Sequence, residues 1–128
     1  MPKIALRGKV FSGTGKGKKF MNLPWVKRQI ERKLGFFPYS GTLNIRLNKE
    51  SVKKKTLFEN VKEIEIDPQA GYFPGLLFKA YLDTLNCAVV IPKVPNYPSD
   101  VLEIVAPIYL REHLKLVDGS LVIITINV

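Results

Sequence analysis

Short β-prone runs, each closed off by a tight turn signal, recur along this chain, and that punctuation is the strongest constraint on its fold. Residues 3–11 alternate apolar Ile4, Leu6 and Val10 with Lys3, Arg7 and Lys9, interrupted by Gly8 and ended by Ser12-Gly13. Residues 41–47 alternate with period two, placing Leu43, Ile45 and Leu47 on one face and Thr42, Asn44 and Arg46 on the other. Residues 61–66, 76–82, 87–92, 101–105 and 121–126 are further strand candidates, separated by Asp67-Pro68, Asp83-Thr84-Leu85-Asn86, the 92–98 proline stretch and Asp118-Gly119. One segment carries a clear helical period. Leu23, Val26, Ile30 and Leu34 share a face, Asn22 can cap the helix, Pro24 suits its first turn and Gly35 its end. The opposite face carries Lys27, Arg28, Glu31, Arg32 and Lys33 and reads as a solvated surface. Pro107 can open a short helix over about 108–114. Many short strands around one principal helix (about 23–34) predict a mainly β protein, a small barrel, with residues 1–128 forming a single domain.

Composition removes several function classes. The chain has 128 residues, 46% hydrophobic and 24% charged, within the range of a soluble globular protein. It lacks an 18-residue apolar window, and residues 1–7 lack the apolar run of a signal peptide, so a cytoplasmic protein without membrane association is expected. Cys87 and His113 are the only residues of their kinds. A disulfide and Cys- or His-rich metal centres are thereby excluded, and nucleophilic triads have one histidine available. The apolar flank Ala88-Val89-Val90 predicts that Cys87 is a buried thiol. Charge is uneven: residues 1–55 hold 15 Lys/Arg against Glu31 and Glu50, a net of +13, whereas residues 56–128 are net −4. A field of that sign suits a nucleic acid or a polyphosphate, and it is equally what a solubilising lysine surface produces.

Three constellations can carry chemistry. Ser12-Gly13-Thr14-Gly15-Lys16-Gly17-Lys18-Lys19 interleaves glycines with basic residues, which suits a phosphate cradle or a flexible hairpin tip; it has neither Walker A nor dinucleotide-binding spacing. The face Thr42-Asn44-Arg46 offers neutral oxygens two residues apart, able to donate to phosphate oxygens, to complete the oxygen shell of a phosphate-bound magnesium ion, or simply to meet solvent. Magnesium sites usually recruit a carboxylate, and none lies in this segment. Glu103 interrupts the apolar strand 101–105, either at a solvated edge or as an acceptor for a ligand.

Arg7-Gly8-Lys9-Val10 leading into Ser12–Gly17, then Gly35-Phe36-x-Pro38-Tyr39-x-Gly41-Thr42-Leu43-Asn44, then Leu102-Glu103-Ile104-Val105-Ala106-Pro107 with Leu110-Arg111 and Leu116-x-Asp118-Gly119, resembles the archaeal CTP-dependent riboflavin kinases in motif content, order and spacing over about residues 5–126. The resemblance implies a six-stranded cradle-loop β-barrel and transfer of the CTP γ-phosphoryl group to the ribityl 5′-hydroxyl of riboflavin, giving FMN and CDP. It also implies nucleotide binding by Gly13, Thr14, Gly15, Lys16, Gly17 and Lys18 and by Ile108, Tyr109, Leu110 and Arg111. Metal binding, with Mg2+ as the divalent cation, falls on Thr42 and Asn44, and flavin binding on Glu103. The family typically has a flavin-contacting Thr eight residues before that glutamate. This chain has Pro95 there, with neither hydroxyl nor N–H, leaving Asn96 or Ser99 as substitutes.

Phosphoryl transfer asks mainly for positioning and charge stabilisation, which suits a chain without a triad. Candidate catalytic groups are Lys16 or Lys18, offsetting charge on the β/γ bridge, and Glu103, which either accepts the ribityl proton as base or only positions the flavin. Phe20, Trp25, Phe36, Tyr39 and Tyr97 are candidate flavin-stacking residues or core. A DNA-binding regulator of swapped-hairpin barrel type is the alternative, since Leu110–Gly119 also suits its short helix and turn. Clustering of glycine with lysine in one loop favours a compact polyphosphate instead. A monomer is expected, and a dimer is compatible with the sequence.

Overall fold

The computed structural model describes residues 3–13, 19, 21–58, 64–69, 71–72 and 74–127. Strands β1 (Lys3–Phe11), β2 (Leu43–Leu47), β3 (Ile64–Ile66), β4 (Gly75–Leu82), β5 (Leu85–Pro92), β6 (Val101–Val105) and β7 (Leu121–Asn127) are joined by helices α1 (Pro24–Leu34), α2 (Lys49–Phe58) and α3 (Leu110–His113). All pairings are antiparallel, in the order β4-β5-β6-β2-β1-β7, and the ring closes where β7 returns to β4 at Ala80↔Ile126. The result is the expected six-stranded barrel, with β3 as a seventh strand added beside β4. Closure leaves those six strands paired on both sides.

Period-two alternation sorts the strands as the sequence predicts. Leu6, Val10, Leu43, Ile45, Phe78, Val89, Leu102, Ile104, Ile124 and Ile126 fill the interior. A second cluster lies outside the wall, where Ile66, Leu77, Ala88, Val90 and Val105 pack beneath Met21, Trp25, Val26 and Ile30. Helix α1 therefore covers the outer side of β4, β5 and the end of β6. Burial also pushes the Cys87 thiol up to about 12, so it stays protonated and inert. Gly8 has a steric reason: a Cβ there would meet the Arg46 carbonyl oxygen at 2.5 Å, so β1 and β2 approach more closely than a side chain allows.

Several local expectations need correction. Asn22 does not cap α1; Leu23 is the N-cap residue and makes no side-chain cap, while Asn22 Oδ1 accepts a hydrogen bond from Ser40 Oγ. Gly35 does end the helix, at φ +81°, with its N–H donating to the Glu31 carbonyl. Lys33 is not simply solvated: its ammonium donates to the Glu65 carbonyl and pairs with Asp67 at 3.3 Å. Buried Gln29 fastens the same helix by exchanging two 2.8 Å hydrogen bonds with the Asp67 backbone. The Asp83–Asn86 turn contracts to Asp83-Thr84, with Asp83 at φ +54° and Leu82 paired to Leu85. The helix expected over 108–114 is the single turn Leu110–His113.

Helix α2 has no counterpart in the sequence reading. Its apolar period is weak: its fully buried residues are Ser51 and Lys55, and Val52 packs only partly buried against the core. It is held by polar contacts: Asn48 Oδ1 accepts from Ser51 N–H, Ser51 Oγ accepts from Arg7 N–H, and Lys55 Nζ donates to the Ser99 carbonyl. Asn48 three residues before Ser51 was the available signal, a capping pattern without an apolar stripe behind it. Of the strand expected over 61–66, residues 61–63 lie outside the described residues.

Candidate functional site

On the side of the barrel that α1 leaves uncovered, a cleft of about 1190 Å³ runs from Phe11–Gly13 across 37–44 and β6 to Pro107–Arg111. Its floor follows from strand register. Leu43 and Ile45 point into the barrel, so Thr42, Asn44 and Arg46 point outward; Leu102 and Ile104 likewise turn Glu103 outward, opposite Asn44. Thr42, Asn44, Glu103, Gly13 and Ile108–Arg111, separate in sequence, thus line one cavity.

Glu103 is half-buried and both its oxygens are engaged. Thr42 Oγ1 donates to Oε1 at 3.0 Å and the Tyr97 hydroxyl donates to Oε2 at 2.6 Å. Burial, reinforced by the hydrogen bond to Glu103 and its charge, pushes the Tyr97 phenol well above its ordinary range, keeping it a donor. Of the residues weighed near Pro95, Tyr97 faces Glu103, whereas Pro95, Asn96 and Ser99 do not line the cleft. The sequence reading had Tyr97 only as a stacking candidate; a Tyr six residues ahead of a Glu has no periodic signature.

Gly13 lies against the Asn44 amide: a Cβ there would come within 2.5 Å of Nδ2. Thr14, Gly15, Lys16, Gly17 and Lys18 lie outside the described residues, as does Phe20. The stem of their loop is tied down. Ser12 Oγ and Arg111 Nη2 both donate to the Asp118 carboxylate, and Arg111 also donates to the Phe11 carbonyl at 3.1 Å. These hydrogen bonds, Arg111 first, hold the Asp118 carboxyl below its usual value. Arg46 sits over the Phe11 ring at 4.7 Å and pairs with Asp100 at 3.5 Å. At the far rim Tyr39 and Tyr109, both exposed, stack with centroids 5.0 Å apart. Trp25 and Phe36 instead belong to the apolar layer under α1.

Among the described residues no three His, Cys, Asp or Glu side chains cluster. Thr42 and Asn44 offer neutral oxygens, and they fit a divalent ion that brings phosphate ligands with it. No helix among the described residues is long and apolar enough to cross a membrane.

Comparison with known proteins fits this arrangement. Residues 10–126 match the family model CTP-dep_RFKase, described as a domain of unknown function, DUF120. The chain is 36% identical to riboflavin kinase of Methanosarcina barkeri over 97% of this chain and 57% of that protein. For riboflavin kinase of Pyrobaculum islandicum the figures are 42%, 96% and 60%, and for that of Ignicoccus hospitalis 37%, 91% and 68%. The chain spans somewhat more than half the length of most of the curated relatives it matches. With the family model matched over nearly its whole length, the chain belongs to the CTP-dependent riboflavin kinase family.

Proposed function

We propose that this chain is a kinase domain that transfers the γ-phosphoryl group of CTP to the ribityl 5′-hydroxyl of riboflavin. The hydroxyl oxygen attacks the γ-phosphorus, the bond to the β–γ bridging oxygen breaks, CDP leaves, and the hydroxyl proton passes to Glu103 or solvent. One observation carries the reading: Gly13 at the stem of the Gly/Lys loop, the oxygens of Thr42 and Asn44, and Glu103 line one cleft large enough for two ligands. The family match and the riboflavin kinase relatives support the same chemistry.

In this reading the Gly13–Lys18 loop wraps the phosphates, and Lys16 or Lys18 offsets charge on the bridge. Arg111 and its neighbours from Ile108 complete the nucleotide side. Thr42 and Asn44 would hold Mg2+, which when bound neutralises charge on the transferring group. Glu103 anchors the flavin, and the stacked Tyr39–Tyr109 pair offers an aromatic surface at the cleft rim. In this reading the enzyme is a cytoplasmic monomer. The test is FMN formation from riboflavin and Mg2+ with each of the four nucleoside triphosphates. CTP should be the preferred donor; equal turnover with ATP overturns the donor assignment, and no FMN with any triphosphate overturns the kinase.

A further inference from the structure

The Thr42 hydroxyl has one proton and two lone pairs, and the structure shows where the proton goes. An ionised carboxylate only accepts, so the 3.0 Å contact to Glu103 Oε1 fixes Thr42 as its donor. What Thr42 has left for the cleft is lone pairs. A phosphate oxygen arriving there would meet lone pair against lone pair, whereas a cation would meet a ligand. Of the two ligand-binding uses of Thr42 that the sequence leaves open, donation to phosphate is thereby closed.

Glu103 stands opposite Asn44 in the β2–β6 register, beside the neutral oxygen pair on the same cleft floor and hydrogen-bonded to Thr42. Its second oxygen is pinned by Tyr97 at 2.6 Å, so the carboxylate is held from both ends and its charge is fixed in place. We propose that Glu103 is the outer carboxylate of a divalent-cation site, acting through Thr42, with Tyr97 as the residue that holds it there. This rests on the kinase reading for the identity of the phosphate ligand. It supplies the negative charge that Thr42 and Asn44 lack, one bond removed from the ion. A cation drawing on the Thr42 lone pair makes its O–H a stronger donor, which tightens the bond to Glu103 in return.

The probe is Mn2+ with CDP, followed by electron paramagnetic resonance of the free ion, using the full chain and checking each variant's thermal midpoint. Wild type should bind Mn2+ in the presence of CDP. Glu103→Gln keeps an acceptor oxygen but loses the charge, and should weaken Mn2+ binding by about tenfold or more. CDP affinity without metal, read by calorimetry, should not move. Thr42→Val should weaken Mn2+ at least as much, and Thr42→Ser should restore it. Because Glu103 acts through Thr42, Glu103→Gln should add nothing further in the Thr42→Val background. Unchanged Mn2+ affinity in Glu103→Gln, or full additivity in the double variant, overturns the proposal while FMN formation by wild type still stands. Failure of wild type to take up Mn2+ with any nucleoside diphosphate overturns this proposal, and absence of FMN formation in the triphosphate assay separately marks failure of the kinase reading.

Discussion

Val105 and Glu103 are outward positions of the same strand, two residues apart, and they meet opposite surroundings. Val105 is fully buried beneath α1 with Ala88 and Val90. Glu103 has Val90 across β5 on one side and Asn44 across β2 on the other, and its carboxylate faces the cleft. Strand β6 is thus the seam between a wall that an amphipathic helix covers and a wall left open for ligands. The barrel interior is alike on both sides of the seam; the division comes from outward side chains, apolar where Trp25, Val26 and Ile30 need a partner and polar where a ligand would supply one. A closed barrel does not need its whole outer surface covered, so one face can be given to polar groups at little cost to the core.

The sharpest way to break this contrast is to exchange the two characters. Val105→Glu places a carboxylate under α1 with no cation beside it, and should cost more than about 4 kcal/mol, abolishing a cooperative transition in urea. Glu103→Val should leave the urea midpoint close to wild type, because water in the cleft can satisfy Thr42 and Tyr97. Equal destabilisation by the two would show that there is no seam. Next in size is Ile30→Ala, which removes methyl groups from the helix–wall layer and should lower stability by about 2–5 kcal/mol. Nucleotide affinity measured well below the transition should hold, since α1 contributes no cleft residue.

The two sides were unequally legible in the sequence. Alternation gave the interior set at Leu43, Ile45 and Leu47 and the outward set at Thr42, Asn44 and Arg46, because a strand's period depends only on local geometry. Helix α1 was legible for the same reason, and Gly35 marked its end. Helix α2 was not, since its inner face rests on Ser51 and on Lys55, whose hydrogen-bond partner lies 44 residues away. Glu103 was recognisable as an anomaly in an apolar strand, but its two donors come from positions 42 and 97, and long-range pairing leaves no periodic trace. The Arg111–Asp118–Ser12 contact has no sequence signature either, because Ser12 lies more than a hundred residues from Asp118.

A smaller effect tests the open wall itself. In Gly13→Ala the new methyl would sit 2.5 Å from the Asn44 amide nitrogen, so that side chain must give way. Displacing a ligand-facing group by a fraction of its own length should lower turnover, by up to about a hundredfold, with the thermal midpoint little changed. Unaltered turnover would mean that Asn44 has no role in the reaction.

The smallest effect concerns how the open side is tethered. Where α1 holds the covered wall by apolar burial, the stem of the Gly/Lys loop is held by Ser12 and Arg111 on the exposed Asp118 carboxylate. That carboxyl is held below its usual 3.8, so the ionised form is favoured by folding. The contribution is fully present above that usual value and is lost as the pH falls through the lower folded value. Asp118→Asn removes it. The difference in urea midpoint between wild type and Asp118→Asn should therefore be constant near neutrality and shrink only below about pH 3.8. Added salt should shrink it too, because the pair is solvent-screened, while leaving the Ile30→Ala difference alone. A difference that ignores both acid and salt would mean that the tether is not electrostatic, and that the two walls are held by the same forces after all.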